Sequence, residues 1–100
     1  MNRDAALDAI KHHKAELEAL GVVSLSLFGS TARNDAKATS DVDVAVDLEE
    51  IRSGLATFAR LDLVRARLSS ILGTRADVVV EPRHHSRIKA AIDKDRQLAF

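Results

Sequence analysis

The stretch "LFGSTARNDAKATSDVDVAVDL", residues 27–48, decides how this sequence is read. It joins a Gly-Ser turn, Gly29–Ser30, to a run in which Asp41, Asp43 and Asp47 interleave with Val42, Val44 and Val46. Alternation with period two is strand patterning. In a strand, residues i and i+2 share a face about 6–7 Å apart. The three Asp therefore share one face and the three Val share the buried one. Asp is a poor strand former, and like charges this close oppose each other's ionisation. The pattern needs a reason.

Working outward, residues 22–28, "VVSLSLF", alternate in the same way. Val23, Leu25 and Leu27 lie on one side, and Ser24 and Ser26 on the other. Before them, residues 3–20 carry Leu7, Ile10, Leu17 and Leu20 at helical spacing, with Gly21 as the stop. "STARNDA" predicts a short helix with Ser30 near its start, and "KATS" a turn. After the Asp-rich strand, residues 53–72 form the longest helix, facing the core through Leu55, Phe58, Leu61, Val64, Leu68 and Ile71, and Gly73 ends it. "ADVVVE", residues 76–81, is a third strand, and Pro82 breaks it. A last helix over 86–99 is buried through Ile88, Ala91 and Ile92. The order α-β-(short α)-β-α-β-α specifies an α/β sheet packed by helices. No repeat or linker interrupts it.

Composition sets the limits. One hundred residues make one domain, 1–100. Hydrophobic residues are 46% and charged residues 30%, ordinary for a globular chain. The net charge is zero, so whole-molecule charge points to neither direct nucleic-acid binding nor a membrane. There is no Cys, which excludes disulfides and thiolate-bound zinc. "MNRDAALDAI" lacks a signal-peptide core and no run is long enough to span a membrane, so the expected location is the cytoplasm. Charge is unevenly spread. Residues 34–50 hold six acids against Lys37, while residues 51–75 hold five Arg against Asp62. Residues 82–100 add five bases against Asp93 and Asp95, and an acidic stretch beside such basic segments suits a cation held beside a polyanion, although charged helix surfaces alone give the same segments.

A hard divalent cation answers the carboxylate repulsion. Mg²⁺ takes oxygen ligands and is commonly shared between one or two carboxylates and a substrate phosphate. The plainer reading is an amphipathic strand whose Asp residues face water. Gly29 supplies the second half of the argument. A strand–Gly–Ser–helix junction offers backbone N–H groups and a favourable dipole to a phosphate, although it is also a common simple turn. A phosphate cradle ending one strand and a carboxylate pair opening the next are the two parts that phosphoryl or nucleotidyl transfer needs.

"GSTARNDAKATSDVDVAV" resembles the signature of the polymerase-beta-like nucleotidyltransferase superfamily, G-S-x(about ten)-D-x-D. Within it, the sequence is most similar to the minimal nucleotidyltransferase (MNT) family, and the likeness spans nearly the whole chain. The resemblance implies a small mixed sheet of three or four strands packed by helices. It implies that Gly29 and Ser30 bind a triphosphate, that Asp41 and Asp43 ligate Mg²⁺, and that Asp77 in "RADVVVE" is the third carboxylate. Arg33 matches the family's Arg in the short helix and can either meet phosphate or anchor the loop through an ion pair. Asn34 departs from the family's Gly, but Asn best tolerates a left-handed backbone, so the turn should survive.

The family's activity implies transfer of AMP from ATP to an acceptor hydroxyl, and its usual partner is a HEPN-domain toxin modified on a Tyr. The alternative is a non-catalytic MNT antitoxin that neutralises its partner by contact. A homo-oligomer is left open. His12 and His13 diverge on a helix and cannot chelate one ion together, His84 and His85 read as a helix entrance, and Asp47 as a solvated strand end.

Overall fold

A computed structural model describes residues 1–37, 39–49, 54–82 and 86–100, and the side chains of all these except Gly54 and Leu55. The expected helix start at Ser53, the side chain of Leu55 and the His84–His85 pair lie outside that description. In chain order the elements are α1 (Arg3–His12), α2 (Lys14–Ala19), β1 (Val22–Phe28), α3 (Gly29–Ala32), β2 (Val42–Leu48), α4 (Gly54–Leu72), β3 (Ala76–Val80), α5 (Arg87–Asp95) and β4 (Gln97–Leu98).

The four strands form one mixed sheet in the order β3-β2-β1-β4. β1 is antiparallel to both β2 and β4, and β2 is parallel to β3. Val42, Val44 and Val46 of β2 pack with Leu25 and Leu27 of β1 and Val78 of β3. Ala6 and Ile10 of α1, Leu17 of α2 and Val64, Leu68 and Leu72 of α4 close the same core. The Val–Asp alternation of β2 thus puts its valines inward, as the sequence requires. No described helix is long and apolar enough to cross a membrane.

Four details depart from the sequence reading. The first helix is interrupted at His13. Its ring Nδ1 lies 2.9 Å from the Ala9 carbonyl, while its own N–H donates to Ile10 O at 3.0 Å. The ring has taken the acceptor that the backbone N–H of a continuous helix would use. In β1 the pairing register shifts between Val22 and Ser24. Val23 is the extra residue of this bulge and faces solvent, so Val22 takes its place in the core.

On α4, Phe58 is exposed. At 100° per residue it lies about 90° from the centre of the stripe formed by Leu61, Val64, Leu68, Ile71 and Leu72. Finally, α5 stops at Asp95 rather than Ala99, and the chain turns at Arg96 to form β4. Leu25 N–H donates to Phe100 O and Ala99 N–H to Leu25 O, so this end of the chain satisfies the outer edge of β1. Of the three residues expected to bury α5, only Ile92 does so, while Ile88 and Ala91 are exposed.

Candidate active site

β1 ends at Phe28 and runs directly into the single turn of α3. Gly29 enters this turn at φ +71°, a conformation that disfavours any side chain. Arg33 N–H donates to Gly29 O at 3.1 Å, Asn34 N–H to Thr31 O at 3.0 Å and Asp35 N–H to Ser30 O at 2.9 Å. Asn34 has φ +64°, as its tolerance of the left-handed region predicts, and its Oδ1 accepts from Arg3 N–H at 3.1 Å. The turn is therefore pinned to the start of α1.

The glycine has a second role. A Cβ built on Gly29 would land on Asp43 Oδ2 and stand 3.2 Å from Asp43 Cγ. The bare backbone of the turn and the carboxylate of β2 occupy one seat. This follows from register, because Phe28 pairs with Asp43 across the antiparallel β1–β2 ladder.

The parallel ladder brings the next carboxylate in. Asp43 pairs with Asp77 of β3, across neighbouring strands about 4.8 Å apart. Asp41 precedes β2 by one residue, with Arg75 Nε 3.8 Å from its Oδ2 in an exposed pair. Asp43 is half-buried. Burial pushes its carboxyl above the ordinary value, and the charges of Asp77 and Asp41 push in the same direction, while Arg33 opposes them. Asp41 and Asp77 thus both act on Asp43 electrostatically, whereas Asp47 sits further along β2 opposite Ser24.

These donors are all carboxylate oxygens, which suit a hard cation. The repulsion of Asp43 by its two neighbours and the bare Gly29 backbone against it fit magnesium held in part by a phosphate oxygen. Among the described residues, no three His, Asp or Glu side chains converge closely enough to cage an ion alone.

Arg33 stands in two ion pairs. Its Nη1 donates to Asp95 Oδ2 at 2.7 Å and its Nε to Asp35 Oδ2 at 3.2 Å. Asp95 lies 62 positions away in sequence, and no local pattern announces it. Two more residues escaped sequence reasoning. Thr31, 1% exposed, buries an Oγ1 that has no hydrogen-bond partner among the described residues. Arg75 carries the only detectable signal, its position two residues before Asp77.

Residues 10–99 match the nucleotidyltransferase domain family. The protein adenylyltransferase MntA of Thermococcus cleftensis is 43% identical over 83 residues, covering 82% of this chain and 76% of that protein. A solved structure named as a minimal nucleotidyltransferase superposes with a TM-score of 0.71 at 31% identity, covering 97% of this chain and 95% of the other. A chain from the complex of a tri-AMPylated Shewanella oneidensis HEPN toxin with its MNT antitoxin gives a TM-score of 0.56. It is 15% identical, with 89% of this chain and 70% of that one covered, so this last likeness is one of fold.

Proposed function

Because this chain belongs to the nucleotidyltransferase domain family, we propose that it transfers AMP from ATP to a hydroxyl of a partner protein, a Tyr of a HEPN-domain toxin. The observation that carries this reading is the register pairing of Asp43 with Asp77, where the Asp43 carboxylate packs directly on the bare Gly29 backbone. The named activity of the Thermococcus relative supports AMP as the group and protein as the acceptor. The fold shared with the toxin–antitoxin complex supports a HEPN partner.

In the proposed reaction, the acceptor oxygen attacks the α-phosphorus of ATP. The bond from that phosphorus to the α–β bridging oxygen breaks, and pyrophosphate leaves. The hydroxyl proton passes to Asp77, a role worth typically 10²–10⁴-fold in rate. The backbone at Gly29 and the Ser30 hydroxyl bind and orient the triphosphate, and Arg33 stabilises their turn from behind. Asp41, Asp43 and Asp77 would hold magnesium, which supplies charge neutralisation for the triphosphate and the leaving group.

The test is incubation with ATP labelled at the α-phosphate, Mg²⁺ and whichever all-helical protein a neighbouring reading frame encodes. Label should appear on a Tyr of the neighbour and vanish with Asp43→Asn. Silencing of that neighbour without label, by wild type and by Asp43→Asn alike, would replace catalysis with neutralisation by contact.

A further inference from the structure

The C-terminal end of α5 is fixed on both sides of one carboxylate. Arg96 donates to Ser26 Oγ in β1 at 3.0 Å, to Glu81 Oε2 just past β3 at 3.3 Å and to Asp93 Oδ1 at 2.8 Å. Immediately afterwards, β4 pairs with β1 through Leu98–Ser26 and Gln97–Leu27. Asp95 therefore projects from a backbone bolted to the sheet. Its side chain is 13% exposed, against 47% for Arg33, which it holds at 2.7 Å. An ion pair between two mobile surface side chains contributes little, because both must be ordered to form it. Here one partner is already ordered, and the other belongs to the turn that carries Gly29 and Ser30. Nε of the same guanidinium is taken by Asp35, so the Arg33 fork is held from two directions.

We infer that Asp95 is a positioning residue for the nucleotide site. By fixing Arg33, it holds the Gly29–Ala32 turn against Asp43 and so sets the affinity for the triphosphate of an ATP-class ligand. The inference rests on the nucleotidyltransfer reading of the site. It assigns α5 a functional task, since this helix contributes none of the three clustered carboxylates. It also gives Arg33 a role as a strut. Removing Asp95 loosens the turn, rather than freeing an arginine for phosphate.

The experiment titrates the full chain, with Mg²⁺, against a non-hydrolysable ATP analogue and separately against AMP. Wild type binds the analogue. Absence of that binding overturns the nucleotidyltransfer reading, and this inference with it. Asp95→Asn lowers affinity for the analogue about fivefold, the upper range for a partly exposed pair, and leaves AMP affinity unchanged. Asp95→Glu recovers most of the loss, and Arg33→Lys reproduces it without adding to it in the double variant. Asp93→Asn, which leaves Arg96 bonded to Ser26 and Glu81 and the helix end in place, changes neither affinity. Amide hydrogen exchange quickens across residues 30–35 in Asp95→Asn and stays slow in β2. Unchanged or tighter analogue binding by Asp95→Asn overturns the inference, as does an equal loss for AMP or an equal loss in Asp93→Asn.

Discussion

Gly29→Ala tests the shared seat of turn and carboxylate, and Gly73→Ala is its internal control. The two glycines have nearly the same backbone, φ +71° and +69°. Placing an L-residue in that conformation costs about 1–2 kcal/mol at either site. They differ in what a methyl group meets. At Gly73 it meets nothing within 4 Å, whereas at Gly29 it meets the Asp43 carboxylate. That carboxylate is the end of a short side chain and can turn away, at about 0.5–1.5 kcal/mol for leaving its rotamer. Denaturant unfolding should therefore show a loss of about 1–2 kcal/mol for Gly73→Ala and roughly 1.5–3.5 kcal/mol for Gly29→Ala. In an Asp43→Ala background the difference should disappear, because the remaining Asp43 Cβ is 3.4 Å from the added methyl, an ordinary contact. The functional gap should be wider than the stability gap. A ligand at a hundred times its Kd stabilises by about 2.7 kcal/mol. A magnesium-loaded ATP analogue should give that increment to wild type and Gly73→Ala and withhold it from Gly29→Ala. Equal losses in the two variants, with ligand stabilisation intact in Gly29→Ala, would refute the reasoning.

Asp43→Asn should leave the metal-free protein as stable as wild type at neutral pH, or more so. The folded-state pKa of Asp43 is raised, so its contribution is full below the unfolded value of 3.8 and is lost as pH rises through the raised value. Thermal melts of the metal-free protein against pH should decline less steeply for Asp43→Asn, and a lower neutral-pH Tm in the variant would make the carboxylate structural. Glu81 has the opposite sign. Hydrogen bonding to Arg96, together with the Arg96 and Lys89 charges, lowers its pKa below 4.5, so its stabilisation holds above that value and fades as pH falls through the lowered one. Glu81→Gln should cost about 1–3 kcal/mol near neutrality by leaving Arg96 short of a charged partner, with little loss at low pH, as urea titrations at the two pH values would show. Ser30→Ala should weaken binding of the ATP analogue by about 1.5–3 kcal/mol, the worth of one hydrogen bond to a charged phosphate. Calorimetry showing no change would remove Ser30 from the site.

The parts of the fold legible in sequence were those governed by local periodicity. Val42, Val44 and Val46 marked the buried face of β2, and Gly29 and Gly73 marked ends of elements. The departures came from interactions that periodicity does not encode. A His ring competing for one carbonyl broke the first helix, and one inserted residue exchanged Val22 and Val23. The end of α5 was misplaced because continuing the helix and pairing with β1 are both good local solutions, and only the exposed edge of β1 favours pairing. At the site, residue types and spacing indicated Gly29, Ser30, Asp41 and Asp43, while Asp77 was indicated only by the family resemblance. They did not show the partner of Arg33, because the Asp95 carboxylate that it meets lies on another helix.

The meeting of Asp43 and Asp77 depends on strand direction, and strand direction depends on α4. Parallel neighbours require the chain to return to the end at which it started. α4 has 19 residues and spans about 28 Å, which exceeds the roughly 23 Å length of the seven-residue β2. It can therefore carry the chain back along the whole strand and deliver Ala76 beside Val42. Had β3 run antiparallel over the same span, Asp77 would face Ala45 and stand about 7 Å along the sheet from Asp43. Parallel pairing reduces that separation to the spacing between neighbouring strands. This proximity lets Asp77 raise the pKa of Asp43 and makes a cation favourable between them. A helix that supplies no side chain to the carboxylate cluster thus fixes its electrostatics through its length.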